Sequence, residues 1–117
     1  MNLTEHFTLE ELTHTDHREL NNEPNELEIE NIKRLAAFLE EVKTVLGGKP
    51  VMVNSAFRSK AVNDAVGSKD TSQHRIGCAA DIRVPGMTPD QVVKAVLNSD
   101  LQYDQIIREF DRWTHIS

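Results

Sequence analysis

The sequence predicts an α+β domain, a small antiparallel sheet with helices packed on it. Three observations lead there. Helical periodicity fills the first half of the chain, and short β-branched runs bounded by turn residues fill the second. No stretch approaches the ~18 apolar residues of a membrane span. Helices followed by strands is the order of an α+β arrangement rather than of alternating βαβ units. At 117 residues the chain is read as a single domain, residues 1–117, with a helical part over about 1–48 and a second part over about 50–117.

Thr8-Leu9-Glu10-Glu11 is a capping box, with a threonine hydroxyl at the helix start and a glutamate three residues later, and it predicts a short helix over roughly 8–13. His14-Thr15-Asp16-His17 carries metal-donor types, but no further donor lies near in the chain, so it is read as a polar exposed loop. Asn21-Asn22-Glu23-Pro24-Asn25 is a turn-rich connection. From Glu26 to about Leu46 the pattern is helical, with Leu27, Ile32, Leu35, Leu39, Val42 and Leu46 forming the face to be buried. Gly47-Gly48 ends it, as glycine does at helix C-termini.

Val51-Met52-Val53-Asn54-Ser55 is short, apolar and β-branched, and is expected as a central strand. Lys60 to Val66 reads as two helical turns stopped by Gly67, and Ser68-Lys69-Asp70-Thr71 as a loop. Cys78 to Val84 reads as a strand that Pro85-Gly86 ends. Thr88-Pro89-Asp90-Gln91 is a second capping box, with proline at the first helical position, where its missing N–H costs nothing. That helix should run to about Ser99 and bury Val92, Val93, Val96 and Leu97. Tyr103 to Glu109 reads as a strand, Phe110-Asp111-Arg112 turns it, and Trp113 to Ile116 returns antiparallel.

The net charge of -6, with lysine and arginine scattered, argues against nucleic acid as a partner, because phosphate binding rests on basic clusters. The opening Met1 to His6 has neither a basic nor an apolar region, so it is not read as a secretory signal and synthesis in the cytoplasm is expected. A mean hydropathy of -0.47 fits a globular chain without membrane insertion. The one cysteine, Cys78, excludes an internal disulfide and is expected to be a small buried residue.

The chemistry gathers at Ser72-Gln73-His74-Arg75-Ile76-Gly77-Cys78-Ala79-Ala80-Asp81. His74 and Asp81 lie too far apart along one helical face to share an ion, so the chain has to bend between them. Gly77 permits that bend. A loop imidazole opposite a strand carboxylate makes half of a zinc site, and a catalytic zinc takes three protein ligands plus a water. Trp113-Thr114-His115-Ile116-Ser117 offers the third ligand, His115.

This combination resembles the zinc peptidases that include the D-alanyl-D-alanine carboxypeptidases and dipeptidases of the VanX type and the phage L-alanyl-D-glutamate endolysins, whose fold the hedgehog signalling domain shares. The signature Ser-x-His-x-x-Gly-x-Ala-x-Asp is matched by Ser72, His74, Gly77, Ala79 and Asp81, and a closing Trp-x-His by Trp113 and His115. Asn54-Ser55-Ala56-Phe57-Arg58-Ser59 is similar to the family's Ser-Gly-Tyr-Arg-Ser segment, with alanine and phenylalanine as departures. His6-Phe7-Thr8-Leu9-Glu10-Glu11-Leu12 is similar to the start of the small phage-encoded branch.

The resemblance implies a hedgehog/D-Ala-D-Ala-peptidase-like fold, zinc on His74, Asp81 and His115, and a monomer that hydrolyses peptidoglycan stem peptides at a D-Ala-D-Ala or L-Ala-D-Glu bond. It implies delivery to the cell wall by a phage holin or within the virion. It places Arg58 beside the substrate carbonyl, where it is otherwise a structural ion pair to a nearby carboxylate, and Ser72 at the substrate, where it is otherwise a loop cap. Trp113 is either a shelf for substrate or a core residue. For the base, a three-residue turn after Glu109 would pair Glu109 with Trp113 and Ile107 with His115, setting Glu109 and His115 on one face. The hedgehog pattern has the same glutamate-to-histidine interval. The VanX type instead places its base three residues before the last histidine, where this chain has Arg112, so Asp111 stands in reserve. That missing carboxylate keeps a second expectation open: a zinc-containing wall-binding or phage structural module without catalysis.

Overall fold

The computed structural model describes residues 1–69, 72–109 and 112–117. Four helices, α1 (Leu9–Leu12), α2 (Glu26–Val45), α3 (Lys60–Ala65) and α4 (Pro89–Leu97), accompany four strands, β1 (Met52–Ser55), β2 (Ala80–Arg83), β3 (Ile106–Glu109) and β4 (Trp113–Ile116). A 3-10 turn covers Gln73–Ile76. The strands form one antiparallel sheet in the order β1-β2-β4-β3. The expected α+β class is therefore the one observed.

Both sequence-read capping boxes form, at Thr8–Glu11 and Thr88–Gln91. A third was not anticipated: Asn25 caps α2 and Glu28 returns the bond to the Asn25 N–H. The α2 stripe of Ile32, Leu35, Leu39 and Val42 is buried as expected, with Ala36 beside it. Leu27 departs from that stripe. It sits in the first helical turn, before the helix reaches the sheet, and is 74% exposed.

The sheet has two unlike faces because side chains alternate. Ala80, Ile82 and Ile116 point into the core with Leu35, Ala36, Leu39, Val92 and Val96, each side chain of leucine or isoleucine size contributing about 1.5–3 kcal/mol by burial. Asp81 and His115, which lie between them in the register, point the other way. α4 covers the core face of β3 and β4 through Val92 and Val96. Val93 is only half-buried, and Leu97, in the last turn, is 54% exposed, so the buried stripe of α4 is narrower than expected.

Three strand readings need correction. The Val51–Ser55 run is an edge strand and not a central one: β1 pairs with β2 alone, and Met52 is exposed. A short strand that opens on Val51-Met52-Val53 looks the same in either place, because those apolar residues do not record how many neighbours the strand has. β3 begins at Ile106 and not at Tyr103, because Asp104 N–H and Gln105 N–H both turn to the Ser117 carbonyl. β2 begins at Ala80, and Cys78 before it is half-buried rather than buried. The expected β3–β4 register does form, with Glu109 opposite Trp113 and Ile107 opposite His115. Phe110 and Asp111, expected in a turn, and Asp70 and Thr71, expected in a loop, lie outside the described residues.

α2 holds the 3-10 turn in place. Arg75 Nη1 donates to Glu28 Oε2 at 2.6 Å, and Asn31 Nδ2 donates to the Ile76 carbonyl at 2.9 Å. Gly77 closes the turn at φ +80°, and a Cβ there would lie 2.8 Å from Ile32 Cγ1 and 3.3 Å from the Glu28 carbonyl. Gly77 is thus required twice, for its backbone angle and for the close approach of α2. Gly77→Ala should cost about 2–4 kcal/mol, combining left-handed strain with overpacking, as read by urea unfolding; a loss below about 0.5 kcal/mol would contradict this.

The N-terminal segment is tied to α2 by Glu40, whose carboxylate accepts from Thr4 Oγ1 at 2.7 Å, from the His6 N–H at 2.6 Å, and meets His6 Nδ1 at 2.7 Å. Burial pushes the Glu40 carboxyl up, but these bonds outweigh it and its pKa is lowered. A carboxyl depressed in the folded state adds stability that is full above its unfolded value and fades as pH falls through the folded one. Glu40→Gln should therefore destabilise by about 1–2 kcal/mol at pH ~7, with the gap to wild type closing below about pH 4 in the same unfolding assay.

Candidate metal centre

Two of the sequence-predicted ligands meet because of strand register. Asp81 on β2 lies directly opposite His115 on β4, and both face away from the core. The third comes from the 3-10 turn, where Ser72 caps the first residues by accepting the His74 N–H at 3.3 Å. The segment leaving β1 then grips His74 at both ends. The Ala56 carbonyl accepts from His74 Nδ1 at 2.7 Å, and the Arg58 N–H donates to the His74 carbonyl at 2.8 Å.

The result is a nearly equilateral triangle. His74 Nε2 lies 3.2 Å from Asp81 Oδ1 and 3.2 Å from His115 Nδ1, and His115 Nδ1 lies 3.0 Å from Asp81 Oδ1. A tetrahedron with zinc–ligand arms of about 2.0–2.1 Å has edges of about 3.3–3.4 Å, so these atoms already stand close to the spacing of three zinc ligands. The side chains of His74, Asp81 and His115 are 4, 10 and 12% exposed. Among the described residues, this is the group of histidine, cysteine and carboxylate side chains that could hold a metal ion. The rings of His14 and His17 meet Asp16 and Glu19 respectively, and neither belongs to such a group among the described residues, as their reading as a polar loop anticipates.

The donor set also fits a cation on proton bookkeeping. A carbonyl can only accept, so His74 Nδ1 carries a hydrogen, and in its neutral form the ring turns a lone pair from Nε2 into the triangle. Asp81 Oδ1 brings lone pairs as well. With both rings neutral, His115 Nδ1 can bring one hydrogen, which two acceptors would have to share. A divalent ion satisfies all three atoms at once. Burial pushes the Asp81 carboxyl up, but where the rings carry their second proton, hydrogen bonds and positive charge from His115 and His74 more than offset this and hold it at about 2. The Asp81 carboxylate is therefore ionised well below neutral pH, as metal binding would require.

Asp81 has a second oxygen, and Arg58 occupies it: Arg58 Nη2 lies 3.3 Å from Asp81 Oδ2, while Arg58 Nε donates to Ser55 Oγ at 3.2 Å. Ser55 reaches this face only because of a bulge. Val53 pairs with Ile82 on the core side, and a strict two-residue period would put Ser55 there too. The irregularity between Val53 and Ser55 sets Ser55 opposite Asp81 instead. Burial lowers the pKa of the Arg58 guanidinium, opposed by the charges of Asp81 and Glu109. The group remains a cation.

A cleft of about 490 Å³ opens over the triangle, walled by Arg58, Ser68, Ser72, Glu109 and Trp113 among others. All three sequence-predicted ligands and every other described candidate, namely Arg58, Ser72, Trp113 and Glu109, thus line one cavity with the ligand atoms at its base. Asp111, the reserve base, lies outside the described residues. Ser72 is both a cap and part of the wall, so the two readings of that residue coexist.

The supporting contacts were not foreseen. Asn22 is the clearest. Its side chain donates to the carbonyls of Thr13 and Phe57 and accepts the Ser59 N–H at 2.7 Å, pinning the segment that carries Ala56 and Arg58. An asparagine in a turn-rich stretch gives no sign of such a partner 35 residues away. The Ala56 carbonyl is backbone and leaves no mark in side-chain chemistry.

No curated protein matches the chain. A family model described as Peptidase M15 does match it, over residues 5–117. M15 peptidases depend on zinc, and a His–Asp–His triangle of zinc-like spacing lies inside the matched span. The chain belongs to the M15 family of metallopeptidases.

Proposed function

We propose that this protein is a zinc peptidase that hydrolyses the stem peptides of peptidoglycan, of the D-Ala-D-Ala carboxypeptidase or L-Ala-D-Glu endopeptidase type. The observation that carries the reading is the placement of Glu109 and Arg58 on the walls of one cleft whose base is the ligand triangle. His74 Nε2, Asp81 Oδ1 and His115 Nδ1 would hold the ion. Bound zinc supplies Lewis acidity, lowering the pKa of a water towards ~7 and polarising a carbonyl.

The chain's own groups do the rest. Glu109 takes the proton of the attacking water and returns it to the leaving amine. Arg58 sets a fixed positive charge beside the carbonyl oxygen as negative charge develops there. Ser72 and Trp113 contact the peptide from the cleft walls. The signature resemblance further supports a phage-encoded enzyme acting as a monomer, reaching the wall through a holin or carried in the virion. No described helix is long and apolar enough to cross a membrane.

One observation favours a second reading, a wall-binding or structural module that keeps the metal without turnover. The position three before His115 is Arg112, where the VanX type carries its base. Glu109→Gln separates the two. With zinc-loaded protein and synthetic stem peptides, the enzyme reading expects hydrolysis that a chelator abolishes, and a loss of about 10²–10⁴-fold in Glu109→Gln with zinc content unchanged. Wild-type protein that binds stem peptide without cleaving it would favour the module. His74→Ala and His115→Ala should each remove stoichiometric zinc from protein dialysed against free metal; full retention in either variant would contradict the assigned ligands.

A further inference from the structure

Asp81 is the ligand whose denticity the protein has to control. A carboxylate can bind a metal through one oxygen or both, and using both would fill the position that solvent needs. The two oxygens of Asp81 have different surroundings. Oδ1 faces His74 Nε2 and His115 Nδ1 at 3.2 and 3.0 Å. Oδ2 meets Arg58 Nη2 at 3.3 Å. Arg58 is itself held by two other bonds, from Nε to Ser55 Oγ at 3.2 Å and from its N–H to the His74 carbonyl at 2.8 Å. Its side chain is 14% exposed. The backbone bond fixes where the Arg58 side chain starts and Ser55 holds one edge of its guanidinium, and the β1 bulge lies at the place that delivers Ser55 to it.

We propose that Ser55 and Arg58 are a positioning pair that holds Asp81 Oδ2 away from the metal, so that Asp81 ligates through Oδ1 alone and the fourth coordination position stays open. This rests on the metal centre of the reading above, and it adds to Arg58 a role that does not involve substrate. The planar fork of arginine suits it, because one edge can meet Ser55 while another meets the carboxylate. Lysine would restore the charge but not the bridge.

Cobalt(II) reports coordination number directly: a four-coordinate ion absorbs visible light strongly, and the bands weaken as further oxygens bind. Apo-protein titrated with cobalt(II) should give the intense spectrum. Arg58→Gln should give weaker bands and bind cobalt about 10–100-fold less tightly, as loss of a group supporting a ligand does, and Arg58→Lys should recover part of both. Ser55→Ala, which removes only a hydroxyl, should shift the spectrum the same way by a smaller amount, and it carries the test if Arg58→Gln does not fold. Spectra and affinity equal to wild type in Arg58→Gln, or in Ser55→Ala where that variant carries the test, would overturn the pairing and leave Arg58 to the substrate. Wild-type protein that binds no cobalt would overturn the metal centre itself. The expected spectral changes in a protein that cleaves no stem peptide would uphold the positioning pair and count against the peptidase reading alone.

Discussion

The hydrogen bond from His74 Nδ1 to the Ala56 carbonyl, at 2.7 Å, decides what the rest of the structure can do. Asp81 and His115 are set on neighbouring strands, so their meeting follows from sheet register. His74 belongs to a turn, and a turn imidazole can rotate. The carbonyl removes that freedom, keeps a hydrogen on Nδ1 and aims Nε2 at the donor atoms of Asp81 and His115. Ligand histidines are commonly oriented this way, by what their other nitrogen touches. Everything that positions Ala56 therefore contributes to the site: the β1 edge strand, the Asn22 latch and the Phe57 N–H bonded to the Leu12 carbonyl.

Gathering two imidazoles and a carboxylate in a part-buried pocket is unfavourable without compensation, since each loses water. The fold answers with directed partners. Arg58 takes one oxygen of Asp81, the Ala56 carbonyl takes the far nitrogen of His74, and the open cleft leaves the triangle accessible from one side. The opposite face of the same strands buries Ala80, Ile82 and Ile116, with Thr114 as its buried polar member. The sheet thus separates its two tasks by parity, with stability on one side and chemistry on the other. Among the described residues, the β1 bulge breaks that parity.

Much of this was readable from the chain. The three donors that meet at the triangle, the two capping boxes and the β3–β4 register follow from local chemistry, motif resemblance and alternation, which a sequence displays directly. The α2 stripe was legible except at Leu27, since periodicity does not say where along a helix its neighbours begin. β1 looked central because a short apolar run carries no record of how many partners it has. The bulge at Ser55, the Asn22 latch and the Ala56 carbonyl were out of reach for a common reason. Each depends on which backbone group arrives from a distant part of the chain. Gly77 lies between these cases: its turn was legible, but its contact with Ile32 and Glu28 was not.

The central claim is that His74 Nε2, Asp81 Oδ1 and His115 Nδ1 are already gathered around a single ion's position. Nitrogen-detected NMR of the histidine rings during a zinc titration tests it most directly. The account predicts saturation at one equivalent, with His74 changing at Nε2 and His115 at Nδ1, while the rings of His6, His14 and His17 stay as they were. Zinc that moved His14 or His17 instead, or that bound His74 through Nδ1, would contradict it.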